Sequence, residues 1–221
     1  MSKRPIFIVE ESSRSVLTLP ITFVWYPGFS ESQKRKSISS LHSEARKIRP
    51  DLKILEVSSK SELIAGKALS AFNLKYKMNN GNIIPLECAF QGSKIFEGFG
   101  QLNQLYNFDP RLAKAEARNF HNKSRLIGFK IDGVEFPMYP KTIFYDWLYI
   151  QSVLTTFGDF SVFNDYNAYS DIEFNPDKSI NCQAYSLALT SLLLINRDPL
   201  EVLDMKVEEL SRHYGNIDLI K

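Results

Sequence analysis

Cysteine is nearly missing from this sequence. Cys88 and Cys182 are the only two in 221 residues, each stands among apolar neighbours, and that excludes a disulfide-stapled fold. The three histidines, His42, His121 and His213, lie far apart from one another and from the cysteines, without the short spacings that hold zinc or iron. Long hydrophobic runs are missing too. The longest, Leu187 to Ile195, is broken by Thr190 and Ser191 and is too short to cross a bilayer, and the amino terminus has no apolar signal-peptide core. A cytoplasmic chain with no membrane partner and no metal is expected. A Gly-rich phosphate loop and a Gly-x-Ser-x-Gly elbow are also absent.

Charge of one sign is scarcely in excess, with 27 Lys and Arg against 25 Asp and Glu, so there is no global signature of a nucleic-acid binder. The distribution is less even. Residues 1–60 hold eleven Lys/Arg against six Asp/Glu, and Lys34, Arg35 and Lys36 stand together on one predicted helix. That run is either a solvated face or a phosphate-contacting one. A hydrophobic content of 44% over this length supports one domain over 1–221 with a substantial core, an N-terminal β/α elaboration over about 1–60 and a C-terminal helix over about 199–214.

Pro5 to Val9 and Val16 to Trp25 read as a β-hairpin. Ser30-Glu31-Ser32-Gln33 opens a helix that runs toward Lys47 with Ile38 and Leu41 inward. Lys53 to Val57 reads as a strand, and Phe72 to Lys77 with Asn82 to Ile84 as a hairpin turned by Asn79-Asn80-Gly81. Helical periodicity covers Pro110 to Phe120 and Thr142 to Thr156; Ser179 caps a buried helix through Leu194, and a last helix from Pro199 ends at Gly215.

The segment from Ile84 to Phe96 carries the chemistry. Read as a helix starting at Pro85 and ending at Gly98 and Gly100, it places Glu87, Gln91 and Lys94 on one stripe, since residues seven apart are offset by only about 20°. The other positions are small or apolar. A narrow polar stripe on an otherwise buried helix reads either as a structural ion pair or as the floor of a reactive cleft.

Other segments bear on that choice. Leu69-Ser70-Ala71-Phe72-Asn73 precedes the Leu86-Glu87-Cys88-Ala89-Phe90-Gln91-Gly92-Ser93-Lys94 stretch, and Tyr169-Ser170-Asp171-Ile172-Glu173-Phe174-Asn175 and Ser179-Ile180-Asn181-Cys182-Gln183-Ala184 follow it. In this order the motifs resemble those of the NADAR superfamily of NAD- and ADP-ribose-associated proteins. Trp25 to Phe29, Gln33 to Ile38, Glu56 to Ser61 and Phe144 to Tyr149 are similar to the NADAR antitoxins associated with DNA-targeting ADP-ribosyltransferase toxins.

The resemblance implies an α+β fold, mostly α-helical, with small sheet elements toward its N-terminal side. It also implies an ADP-ribosylglycohydrolase that needs no cofactor, removes ADP-ribose from guanine in DNA, and has ADP-ribosylated DNA and a cognate toxin as partners. Lys94 matches the family lysine that forms a Schiff base with the sugar, Glu87 the general acid/base, and Asp171 the late carboxylate. Gln91, Ser70, Asn73, Phe174 and Asn181 become ligand-binding candidates. Trp147 is either a stacking platform or core, Asp146 reaches either the site or solvent, and Lys34, Arg35 and Lys36 become DNA-contact candidates. The alternatives are an N-glycosidase of a small riboflavin-pathway intermediate and a non-catalytic ADP-ribose- or toxin-binding module.

Overall fold

The computed structural model describes residues 1–158 and 160–214. β1 (Ser2–Glu10) and β2 (Ser15–Phe23) form the expected antiparallel hairpin. α1 (Glu31–Ile48) opens on Ser30, whose hydroxyl accepts from the Gln33 N–H at 3.3 Å and so satisfies one of the free amides of the first turn. β3 (Ile54–Glu56) and the short α2 (Ile64–Ala68) follow. β4 (Lys75–Lys77) and β5 (Ile83–Pro85) pair across a turn in which Gly81 takes a φ of +87°. Next come α3 (Leu86–Gly92), β6 (Lys94–Phe96) and β7 (Gly100–Gln101). α4 (Pro110–His121) is capped by the Asp109 carboxylate, which accepts from the Arg111 N–H at 2.9 Å.

β8 (Leu126–Ile131) and β9 (Val134–Phe136) precede α5 (Ile143–Ser152), which loosens into a π turn over Val153–Phe157. There Thr155 and Thr156 donate their hydroxyls back to the carbonyls of Gln151 and Ser152, at 2.7 Å each, a local bonding pattern that distorts helices. The chain continues through α6 (Val162–Asp165), β10 (Ala168–Ser170), α7 (Gln183–Ile195), α8 (Pro199–Leu203) and α9 (Val207–Ser211).

The described residues group into two units, 1–70 with 160–204 and 71–158 with 205–214. The first is built on a sheet of order β2-β1-β10-β3 with α1 and α7 packed on it. Because strand side chains alternate, Ile6 and Ile8 of β1 join a core with Ile38, Leu41 and Ala45 of α1, while Phe7 meets Tyr185 of α7 edge-on at 5.5 Å. A strand covered on both faces explains the uninterrupted apolar run Ile6-Phe7-Ile8-Val9.

The second unit holds the β4-β5 hairpin and a sheet of order β7-β6-β8-β9. Cys88, Phe96, Leu102, Leu105, Ala113 and Ala117 form one core, and Phe90, Phe129 and Phe144 stack in another, with centroids 4.6–6.0 Å apart. The α+β class holds. Strands are nevertheless not gathered at the N-terminal side: β6 to β9 make a four-stranded sheet in mid-chain.

Two local expectations need correction, and one of two alternatives left open falls away. The buried helix starts at Gln183, not Ser179, because Asn175 Oδ1 accepts from the Asp177 N–H at 3.1 Å, forming a turn, and the Ser179 hydroxyl donates to the Asn181 carbonyl at 3.2 Å. The C-terminal helix is two short ones, interrupted where Asp204 ends α8 and Lys206, extended at ψ 153°, begins α9; Gly215 lies outside the described residues. Asp146 does not face solvent: it is 1% exposed and accepts from the Tyr214 hydroxyl at 2.5 Å. Among the described residues, no helix is long and apolar enough to cross a membrane.

Candidate active site

The stretch read as one long helix breaks in its middle. α3 ends at Gly92, where a Cβ would stand 2.4 Å from the Tyr106 ring, so only glycine lets that ring close over the helix end. Ser93 donates its hydroxyl to the Ala89 carbonyl at 2.7 Å, its own carbonyl accepts from the Lys130 N–H at 2.8 Å, and the chain leaves as β6. Lys94 is therefore the first residue of a strand, paired with Phe129 of β8, and not a member of a helical stripe with Glu87. Gly98 and Gly100, at φ +75° and +74°, turn β6 into β7 instead of ending a helix.

Within the second unit the structure still gathers the expected groups. Glu87 is 5% exposed; its Oε1 accepts from Gln91 Nε2 at 2.7 Å and lies 3.9 Å from Lys114 Nζ. Gln91 Oε1 is buried and has no hydrogen-bond partner among the described residues, an acceptor suited to a ligand hydroxyl. Lys94, 7% exposed, holds Nζ 3.0 Å from His121 Nε2 and 4.8 Å above the Phe90 ring centre. Its pKa is brought down to about 8, chiefly by burial; the Glu87 carboxylate opposes the shift and the Lys114 cation adds to it. His121 is lowered as well, by burial and then by the Lys94 cation. An ammonium has donors only, so with Lys94 charged the His121 ring is neutral, accepts at Nε2 and carries its proton on Nδ1. The amine is thus poised to lose its proton at working pH, as a nucleophilic lysine must.

In the first unit Asp171 is 7% exposed and accepts from Gln183 Nε2 at 2.9 Å and from the Glu173 N–H at 2.9 Å. Glu56, 3% exposed, accepts from the Ile172 N–H at 2.8 Å and from the Ser170 hydroxyl at 2.5 Å, and Ser170 Oγ in turn lies 2.7 Å from His42 Nε2. Burial pushes both carboxyls well above the carboxylate range, with the Asp171 charge adding to the effect on Glu56. Arg4 faces Asp177, Asp171 and Glu173 electrostatically.

The other expected residues are placed as follows. Ser70 is fully buried, and its Oγ, like Asn181 Oδ1, lacks a hydrogen-bond partner among the described residues. Phe174 is buried at 5% exposure, whereas Asn73 is exposed on a turn. Trp147 packs on Phe136 and Tyr76, with ring centres 4.7 and 6.3 Å away. Lys34 turns inward to Glu173 at 3.1 Å and over the Trp25 ring at 4.8 Å. Arg35 pairs with Glu31 at 2.8 Å, and Lys36 is exposed.

Sequence reasoning missed His121, Lys114, Glu56 and His42. The first two had a signal: they lie seven apart on α4, on the side of the buried Ala113 and Ala117, the same spacing that marked Glu87 and Lys94. Glu56 opens the Glu56 to Ser61 motif but was given no role, and His42 had no signal, since Ser170 joins the two across more than a hundred residues.

The buried carboxyls make a prediction about stability. Each titrates at a higher pH in the folded chain than in the unfolded one, so the fold holds their protons more tightly. The resulting stabilisation is complete below the unfolded value of about 4 and is lost as pH rises through the folded values. Glu56→Gln removes one of these titrations while keeping an acceptor for Ile172. Its melting temperature should gain on the wild type between about pH 4 and about pH 8, and a constant difference in calorimetric scans across that window would contradict the assignment.

Comparison with curated proteins gives no match. The model of one family, described as the DarT1-associated NADAR antitoxin, matches residues 2–216, nearly the whole chain and with it Glu87, Lys94 and Asp171 alike, and the chain belongs to that family.

Proposed function

We propose that the protein is an ADP-ribosylglycohydrolase that frees guanine in DNA from ADP-ribose and thereby counteracts a DNA ADP-ribosyltransferase toxin. The observation that carries this reading is the Lys94 amine: buried, its pKa brought down to about 8, and held by His121 beside the Glu87 carboxylate. A module that only binds ADP-ribose or a toxin has no use for a desolvated amine.

In the proposed reaction Glu87 protonates the ribose ring oxygen, the ring opens, and C1″ becomes an iminium on the exocyclic nitrogen of guanine. Lys94, having passed its proton to His121, adds to that carbon. The guanine amine leaves with the returned proton, and the sugar stays on Lys94 as a Schiff base. Water adds to this base, Glu87 takes up the released proton, and the freed aldehyde closes to ADP-ribose. One water is consumed, and guanine and ADP-ribose are the products. Gln91 Oε1 is assigned to a ribose hydroxyl. Asp171 is assigned a supporting acid role on the match of its motif.

The direct test is incubation with an oligonucleotide carrying ADP-ribosylguanine, read by mass spectrometry: the reading requires unmodified DNA and free ADP-ribose, and an unchanged substrate contradicts it. The same assay gives a pH prediction. A nucleophile that titrates near 8 makes turnover rise with pH up to that value. Lys114→Met removes the cation that lowers Lys94 and also leaves Glu87 free to hold the ammonium, so both effects move the rising limb to higher pH. A limb that stays put or moves down would detach it from Lys94.

A further inference from the structure

A pocket of about 390 Å³ opens on one side of α1, lined by Arg35, Lys36, Ser39, His42, Arg46 and Glu62, with Ile38 beside them. The volume falls within the range of small-molecule sites, about 300–1,000 Å³. Arg35, Ser39, His42 and Arg46 recur at intervals of four, three and four, so they form a single stripe along the helix. Three cations line it with one carboxylate. Glu62 is bound only loosely to Arg35, at 3.7 Å, and is largely exposed; Arg35 is held more closely by Glu31, at 2.8 Å, so Lys36 and Arg46 are the lining cations with no ion pair among the described residues.

Two further observations describe its polar groups. Arg35 Nε is buried and lacks a hydrogen-bond partner among the described residues. Arg46 lies close enough to His42 for its cation to help burial keep that ring neutral, with the pKa at about 3; the Ser170 hydroxyl holds its Nε2 from below. Lys36 is exposed at the rim. Guanidinium forks on a concave, partly desolvated surface suit a phosphate group, whose oxygens accept paired N–H donors.

We infer that this pocket binds a phosphate oxyanion of the substrate through Arg35, Arg46 and Lys36. Naming the polymer that carries the phosphate rests on the DNA reading above; the anion site itself does not. A backbone phosphodiester near the modified guanine and the diphosphate of ADP-ribose share this chemistry, and the test separates them.

The variants are Arg35→Gln/Lys36→Gln/Arg46→Gln and Lys36→Glu alone. The second alters only a rim side chain and guards against a folding defect caused by losing the Arg46 bond to the Leu52 carbonyl at 3.3 Å. Lys47→Glu, an exposed position of the same helix paired with Glu44, controls for net charge, since it changes the charge by as much as Lys36→Glu. Fluorescence anisotropy with unmodified single-stranded DNA over a range of NaCl should show affinity falling by about ten- to a hundredfold in the triple variant. The salt slope should flatten by about 0.7 for each phosphate that the pocket no longer neutralises. Lys36→Glu should weaken binding to a lesser degree.

Kinetics on an ADP-ribosylguanosine monomer then identify the source. A monomer KM that is unchanged while the modified oligonucleotide loses affinity assigns the pocket to the DNA backbone. A monomer KM that rises in both variants, with melting temperature unchanged, assigns it to the ADP-ribose diphosphate. If neither DNA affinity nor monomer KM moves in either variant, or if Lys47→Glu does as much as Lys36→Glu, the pocket is no phosphate site. Failure of the wild type to act on the modified oligonucleotide would instead count against the glycohydrolase reading, since anisotropy measures the pocket without turnover.

Discussion

Lys94→Ala is expected to lower ADP-ribose release by at least about three orders of magnitude, because the amine is the group that bonds to the sugar, and the neighbouring Lys114 amine is half-exposed and faces Glu87 at 3.9 Å. The fold should persist: removing an amine that is 7% exposed relieves a desolvation cost, so the melting temperature should stay level or rise. Lys94→Arg should be equally inactive, since guanidinium does not lose its proton at working pH. Stopped activity in a well-folded variant is the required combination. Full turnover in either variant, measured on ADP-ribosylguanine DNA, would remove Lys94 from the chemistry.

Glu87→Gln should reduce kcat by about two to four orders of magnitude, the usual worth of a positioned proton donor and acceptor. The substitution is nearly isosteric and retains an oxygen to accept from Gln91 Nε2, which now lies 2.7 Å from Glu87 Oε1; the change is therefore one of proton transfer and not of packing. A raised KM with kcat intact would make Glu87 a group that positions substrate. Asp171→Ala, run alongside, tests the more distant assignment: an undiminished kcat would leave Asp171 as the acceptor that orders Gln183 and the turn at Glu173.

Much of this was legible in the residues, though unevenly. The first hairpin and α1 were readable because a local rule decides each: apolar runs around a polar turn, and a capping serine before a periodic segment. The polar trio Glu87, Gln91 and Lys94 was found for a partly mistaken reason. Seven-residue spacing suits one helix, but Gly92 and Ser93 end it, and they do so through Tyr106 and the β8 strand, which lie far along the chain. What brings Lys94 toward Glu87 is thus a tertiary turn and not helical periodicity. His121 escaped notice for the same reason. Its seven-residue offset from Lys114 was the one signal available, and that gains a meaning only once α4 packs against α3 and sets the ring 3.0 Å from the amine. The basic run at 34–36 was visible as charge, but its division was not, because Lys34 turns to Glu173 and Trp25 while Arg35 and Lys36 line the α1 pocket with Arg46.

The central claim is that Lys94 carries the sugar during turnover. Its most direct test is to add borohydride while the wild-type protein acts on ADP-ribosylguanine DNA, and then to map the modified peptide by mass spectrometry. Reduction of the proposed intermediate should leave a stable adduct on Lys94, with a mass that includes ADP-ribose and excludes guanine, and trapping should be lost in Lys94→Ala. An adduct on another lysine, or continued turnover with no adduct under reducing conditions, would contradict the account.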